Sequence, residues 1–224
     1  MIVAIDGPAA SGKSTVARAL ARRLGAHYLD TGAMYRAVAL AALREEISLD
    51  DEDSVAALAG AVTIQFLHAA GSPIPTAVLL DGADVTVAIR TPAIDEAVSA
   101  VARMPGVRAA MVAQQRRIAD CADTIVLEGR DIGTVVFPDA EVKVFLTASP
   151  DERARRRHAE MTERGHAVKE DVVRDGLERR DHADSSRQAA PLSVALDAVE
   201  LDTTGLTVDE VVDAVAALVG RSHA

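Results

Sequence analysis

The chain is predicted to be an α/β protein with a central parallel sheet and helices on both faces. Three observations predict it. An apolar run at 2–5 leads into a G-x-x-x-x-G-K-S loop at 7–14, followed by a helix-spaced stretch. Short apolar runs recur at 124–127, 142–146 and 199–201, with helical stretches between them. Hydrophobic residues make up 49 % of the 224 positions with no Trp, so the core is one of Ala, Val and Leu.

The first unit is a buried strand, a glycine loop and a helix. Glycines at 7 and 12 permit backbone angles that a Cβ forbids, and let N–H groups converge on one anion. Val16, Leu20 and Leu24 are four apart, so the loop opens a helix whose N-terminus favours phosphate. In this pattern Lys13 reaches the β- and γ-phosphates, and the Ser14 hydroxyl serves a Mg²⁺ ion. The loop therefore predicts a nucleoside triphosphate.

Residues 27–29 form a short strand or a loop. Asp30 or Thr31 then caps a helix to about residue 43, with Met34 and Val38 on one face. A helix over 48–59 follows, acidic in its first turn at Asp50, Asp51, Glu52 and Asp53. From 60 to 90 the pattern changes. Alternation at 62–66, a Gly-Ser-Pro-Ile-Pro turn, runs at 77–80 and 85–89, and Asp81-Gly82 between them predict an inserted antiparallel meander.

Thr91-Pro92 starts a helix with Ile94, Val98 and Val101 inward, Met104-Pro105-Gly106 breaks it, and another helix runs to about 120. The strand at 124–127 ends in Glu-Gly-Arg-Asp, and the strand at 142–146 ends before Ser149-Pro150. Residues 151–164 are a helix so dense in Arg (153, 155, 156, 157 and 164) that it is expected not to pack as a core element. A helix over 170–184, a loop, a strand at 199–201 and a helix over 207–219 capped by Thr207 complete the chain. In such a sheet ligands sit at the carboxyl ends of the strands, so the glycine loop and Arg130-Asp131 are expected to face one crevice.

A net charge of −10 argues against a general nucleic-acid binder. The cations are 21 Arg against 3 Lys, and Arg suits forked phosphate recognition; codon bias is the alternative. The lone Cys121 excludes an internal disulfide and is expected to be buried. No apolar run approaches the ~20 residues of a membrane span. A cytoplasmic monomer is the expectation, without nucleic-acid or membrane partners.

Three features point to a phosphate-bearing acceptor. The Arg-rich helix suits a mobile lid over phosphates, the alternative being a solvated basic face. Arg36, about one helical turn beyond Thr31, offers a second anion site, and Arg130-Asp131 pairs a fork donor with an acceptor. A structural ion pair is the alternative for each of these pairs.

Together these segments closely resemble the bacterial cytidylate kinases, P-loop nucleoside-monophosphate kinases that phosphorylate CMP and dCMP. The resemblance covers nearly the whole chain. It is carried by Ile-Asp-Gly-Pro-Ala-Ala-Ser-Gly-Lys-Ser (5–14), Leu-Asp-Thr-Gly-Ala-Met-Tyr-Arg (29–36), Ile-Arg-Thr (89–91), Gly-Arg-Asp-Ile-Gly-Thr-Val-Val-Phe-Pro-Asp-Ala (129–140), Arg-Asp (180–181) and Ala-Pro-Leu (190–192).

The resemblance implies a P-loop NMP-kinase fold in one domain, with an inserted NMP-binding subdomain at about 60–102 and an Arg-rich lid at about 151–168. It implies transfer of the γ-phosphate of ATP to CMP or dCMP. Gly7, Pro8, Ala9, Ala10, Ser11, Gly12, Lys13, Ser14 and Thr15 would hold ATP, with Mg²⁺. Arg36 and Arg130 would hold the acceptor phosphate, with Thr31 and Tyr35 on the same substrate side. Ser99, Arg108 and Asp131 would read the base. Arg180 and Asp184 would hold the sugar, with Arg187 nearby. Lys13, Arg130, Arg153 and Arg157 would serve catalysis, the last two from the lid. Other acceptors on the same core, such as UMP or shikimate, and a non-enzymatic nucleotide switch are the competing readings.

Overall fold

The computed structural model describes residues 1–163, 165 and 167–222. The chain divides into two compact units, one of residues 1–20 and 128–224, the other of residues 21–127. In chain order, the first unit opens with β1 (Ile2–Asp6), and α1 (Lys13–Leu24) leads into the second. There follow β2 (His27–Asp30), α2 (Thr31–Arg44), α3 (Glu52–Ala61), β3 (Ile64–His68), β4 (Pro75–Leu80), β5 (Ala83–Asp84), α4 (Pro92–Arg103), α5 (Pro105–Ala119) and β6 (Ile125–Glu128). The chain then enters the first unit again with β7 (Val142–Thr147), α6 (Pro150–Glu163), α7 (Glu170–Ser186), β8 (Val199–Asp202) and α8 (Val208–Ser222).

The first unit is built on a parallel ladder. Val3 pairs with Val142 and Asp6 with Phe145; Val144 pairs with Val199 and Thr147 with Asp202. Val3, Ala4, Ile5, Val144 and Leu146 are buried on either side of the sheet. This is why the strands read as continuous apolar runs rather than alternating ones. Their carboxyl ends lead into Gly7, Ala148 and Thr203. Helix α8 is anchored by a reciprocal cap: Thr207 Oγ1 accepts the Glu210 N–H, and Glu210 Oε2 accepts the Thr207 N–H at 2.8 Å.

In the second unit Asp30, not Thr31, caps α2, its Oδ1 accepting the Ala33 N–H at 3.0 Å. Helix α3 starts four residues later than the sequence suggests. Asp51 accepts the Ser54 N–H at 3.1 Å, and that cap sets the start at Glu52. The meander is real, with β3, β4 and β5 antiparallel. Asp81 and Gly82 turn the second hairpin with φ of 49° and 83°, the pair of left-handed angles that a two-residue turn needs.

The strand expected at 85–89 does not form. The Val85 N–H still donates to the Val78 carbonyl at 2.9 Å, but Asp84 accepts the Thr86 N–H at 2.8 Å and its hydroxyl at 2.6 Å, and Thr86 Oγ1 rather than a backbone carbonyl accepts the Val78 N–H, which ends the ladder there. Residues Ala88–Arg90 instead form one tight helical turn.

Two further expectations are corrected. Cys121 is exposed, because α5 has ended and its N–H closes a turn on the Ile118 carbonyl. The Arg-rich helix α6 does pack: Ala154 joins Ala9, Val173 and Leu177 in a small core, and Arg153 is buried beside it. Arg153 is tolerated there because two backbone carbonyls and a carboxylate take up its protons. Arg164 lies outside the described residues.

Among the described residues no helix is long and apolar enough to cross a membrane.

Candidate active site

The glycine loop has the shape that its sequence requires. Gly7 has φ of 146°, and a Cβ there would overlap the Leu146 carbonyl oxygen of the neighbouring strand. Ala10 holds φ of 59° and Gly12 φ of 92°. Lys13 opens α1 and folds over the loop, donating to the Pro8 carbonyl at 2.6 Å and lying 3.4 Å from Ser11 Oγ. Burial, and then the Arg130 guanidinium, push its ammonium well below the usual range, against the pull of Glu128 and Asp6. A buried ammonium beside a second cation is short of negative charge, which a phosphate chain supplies.

Ser14 donates its hydroxyl to Glu128 Oε2 at 2.7 Å. Glu128 is buried at the carboxyl end of β6. In the sequence it is marked only as an acid that ends a buried strand just before Gly-Arg-Asp.

The first-unit residues expected on the acceptor side form one network. Arg130 Nε donates to Asp184 Oδ2 at 2.8 Å. Arg187 stands 3.7 Å from Asp131 Oδ1 and 3.9 Å from Asp184 Oδ1. Its Nε donates to the Ala190 carbonyl at 2.5 Å, which ties in the Ala-Pro-Leu segment. Burial pulls the Asp184 carboxyl upward, but Arg130, with Arg180 and Arg187, holds it below its ordinary value. Arg130, Asp131, Arg180, Asp184 and Arg187 are thus brought together from the segment after β6 and from the end of α7.

Asp6 carries a different charge balance. Burial raises its carboxyl to about 6 and the Asp131 charge adds to this, while the Gly133 and Ile132 N–H groups and Lys13 oppose it.

The α6 arginines, alike in sequence, separate in space. Arg153 turns inward, donating to the Ala148 carbonyl at 3.2 Å, the Ala9 carbonyl at 3.3 Å and the Asp181 carboxylate. Arg157 pairs with Glu160 at 2.8 Å. Arg156 also approaches the glycine loop, by way of Thr203. It donates to Thr203 Oγ1 at 2.9 Å and to the Thr203 carbonyl at 2.8 Å. Thr203 Oγ1 lies 3.2 Å from the Ser11 carbonyl, and Arg156 Nη1 would stand 3.5 Å from a Cβ on Gly12.

Thr31, Tyr35, Arg36, Ser99 and Arg108 belong to the second unit. Arg36 pairs with Asp95 at 2.5 Å, and its Nη1 lies 3.4 Å from the Ile89 carbonyl. Arg108 is buried, with its guanidinium 5.5 Å from the centre of the buried Tyr35 ring. Its Nη1 donates to the Ala102 carbonyl at 3.2 Å. Ser99 is half-buried on α4, and Thr31 is buried at the start of α2. Asp95, which positions Arg36, carried no sequence signal beyond its place in a helix.

The cytidylate kinase family model matches residues 3–221. A cytidylate kinase of Pelotomaculum thermopropionicum is 49 % identical over 221 residues, covering 99 % of this chain and 96 % of its own. Those of Desulforamulus reducens and Rhodococcus opacus are 51 % and 50 % identical over 213 residues, each covering 95 % of this chain, and 94 % and 91 % of their own. Among solved structures, an uncharacterized protein from Eubacterium ventriosum shares the fold at a TM-score of 0.51 and 13 % identity, covering 98 % of both chains.

Proposed function

The chain belongs to the cytidylate kinase family, and from that premise we propose how its residues divide the work of phosphoryl transfer. It is a nucleoside-monophosphate kinase that moves the γ-phosphoryl group of ATP to CMP or dCMP, giving ADP and CDP or dCDP. In our reading Gly7 to Thr15 cradle the ATP phosphates. Lys13 leaves the Pro8 carbonyl to neutralise the transferring group. A phosphate oxygen of the acceptor attacks γ-phosphorus as the bond to the β,γ-bridging oxygen breaks. No strong general base is needed, because that oxygen is already ionised.

The divalent ion of the reaction is proposed as Mg²⁺. Ser14 Oγ and the Glu128 carboxylate, 2.7 Å apart, are hard oxygen donors of the type that Mg²⁺ takes alongside substrate phosphates. Bound there, the ion would supply Lewis-acid neutralisation of phosphate charge. Arg157, with Arg156 and Arg153 on the same helix, would act from the lid and keep water out.

Arg36 and Arg130 are proposed to hold the acceptor phosphate, and Thr31 and Tyr35 to line the same side. Asp131, Arg108 and Ser99 would read cytosine, whose N4 amino group donates and whose N3 and O2 accept. Arg180, Asp184 and Arg187 would hold the sugar. The observation that carries this reading is the buried Asp131 in a network of fork donors, 3.7 Å from Arg187. Uracil would set an oxygen against that carboxylate and cost roughly 1–3 kcal/mol, about ten- to a hundredfold. The enzyme is taken as a cytoplasmic monomer.

A coupled ADP-release assay with CMP, dCMP, UMP and AMP tests the reading. The expected result is a preference for CMP over UMP of at least tenfold that narrows in Asp131→Asn. An unchanged preference in that variant would overturn the base assignment.

A further inference from the structure

Asp6 is a carboxylate where a carboxylate has an evident cost. It ends β1 and directly precedes Gly7, at the entrance of a loop shaped for a polyanion. Its two oxygens are committed elsewhere. Oδ1 accepts the Ile132 N–H at 2.9 Å and Oδ2 the Gly133 N–H at 2.8 Å. One residue earlier, the Ile5 carbonyl accepts the Gly129 N–H at 3.0 Å. The last two residues of β1 therefore fasten the segment after β6 at 129 and again at 132–133.

The two residues between those fastenings are Arg130 and Asp131. The segment beyond them is a single wide turn, with the Val136 N–H on the Asp131 carbonyl and the Phe137 N–H on the Ile132 carbonyl. A Cβ on Gly133 would crowd Lys143 Cγ and Cδ at 3.2 Å, while Asp6 Oδ2 would stand at an ordinary contact distance of 3.5 Å. A buried carboxylate that repels phosphate is retained, on this geometry, for its hold on the acceptor side.

We propose that Asp6 is a positioning residue for the monophosphate substrate. It sets the direction in which Arg130 and Asp131 project, and makes no favourable contact with ATP although it adjoins the ATP loop. The proposal rests on the reading of Arg130 and Asp131 as acceptor-side residues. A role in stability alone would lower the melting temperature and leave both KM values together; a positioning role splits them.

The test is steady-state kinetics of Asp6→Asn beside Asp131→Asn. An asparagine keeps one acceptor and turns an NH₂ against the second backbone N–H, so one fastening opens. The expected result in Asp6→Asn is a KM for CMP raised at least tenfold, with the KM for ATP within twofold of the parent. A raised KM for CMP in Asp131→Asn with an unchanged one in Asp6→Asn overturns the positioning role and leaves the acceptor-side reading standing. Unchanged values in both overturn the reading itself. Equal rises in both KM values of Asp6→Asn overturn the positioning role as well. Should Asp6→Asn fail to fold, Asp6→Ser leaves a single short acceptor that cannot hold both N–H groups. The same split is expected there, and its absence overturns the proposal.

Discussion

Ser14 donates its hydroxyl proton to Glu128 across 2.7 Å, joining the end of the glycine loop to the end of β6. A hydroxyl held by a buried carboxylate points a lone pair away from it, and both oxygens belong to the donor class of a hard divalent ion. Glu128→Gln keeps the size and removes the charge. Turnover is expected to fall at least about tenfold, the lower end of what losing even an outer partner at a metal site costs. The free Mg²⁺ needed for half-maximal rate should rise in parallel. A titration of rate against Mg²⁺ that superimposes on the parent's would remove Glu128 from the ion site.

Lys13 closes its own loop through the Pro8 carbonyl at 2.6 Å. Lys13→Ala deletes a charge aimed at the transferring group, and a kcat loss of about 10²–10³-fold is expected. Lys13→Arg should not restore activity, since a planar fork does not fit where a compact ammonium turns back on the loop. Full turnover in either variant, at unchanged thermal stability, would sink the assignment.

Arg153 and Arg157 should part company in a stability measurement. Arg153 is buried on two carbonyls and the Asp181 carboxylate, so Arg153→Ala strands polar groups and should cost about 3 kcal/mol in urea denaturation. Arg157 pairs with an exposed Glu160, so Arg157→Ala should cost at most about 1 kcal/mol. Its effect should instead appear as a kcat lowered more than tenfold. Loss of stability in Arg157→Ala with full kcat would place it outside the catalytic machinery.

Asp6 and Asp184 should give stability slopes of opposite sign. Asp184 is held below its usual 3.8, so its contribution is complete above about pH 4 and is lost as pH falls through the folded value. Asp6 is raised from 3.8 to about 6, so the folded chain keeps a proton that the unfolded chain has lost. Stability should therefore decline from pH 4 to pH 6, by up to about 3 kcal/mol for a shift of this size. Asp6→Asn has nothing to titrate there, so the stability gap between parent and variant should narrow as pH rises across that window. A gap constant from pH 4 to 7 would contradict the raised carboxyl.

Gly7→Ala should be among the most damaging substitutions in the chain. The added Cβ meets backbone, the Leu146 carbonyl, and the φ of 146° is one that alanine rarely adopts. A loss of more than about 4 kcal/mol, or no folded protein, is expected. A melting temperature within a few degrees of the parent's would mean that the loop can move off β7.

What the sequence determined by itself was local. The spacing of Gly7, Gly12, Lys13 and Ser14 announced a phosphate loop, because the backbone angles and the dipole it needs come from a few consecutive residues. Asp81-Gly82, Pro92 and Thr207 marked their turn, helix start and cap for the same reason. Local evidence also misled. The run at 85–89 has the composition of a strand, but the Asp84 carboxylate captures Thr86 and ends the ladder.

Tertiary structure decided what depends on partners far along the chain. Glu128 meets Ser14 at a separation of 114 residues, and Asp6 meets Ile132 at 126. Nothing in the composition of α6 tells the buried Arg153 from Arg157 or from Arg156 beside the loop. Their roles come from which carbonyl or carboxylate faces each one, and only packing supplies that. Hydrogen bonds and charges act over a few ångströms, so residues adjacent in sequence announce themselves, while residues adjacent only in space wait for the fold to bring them together.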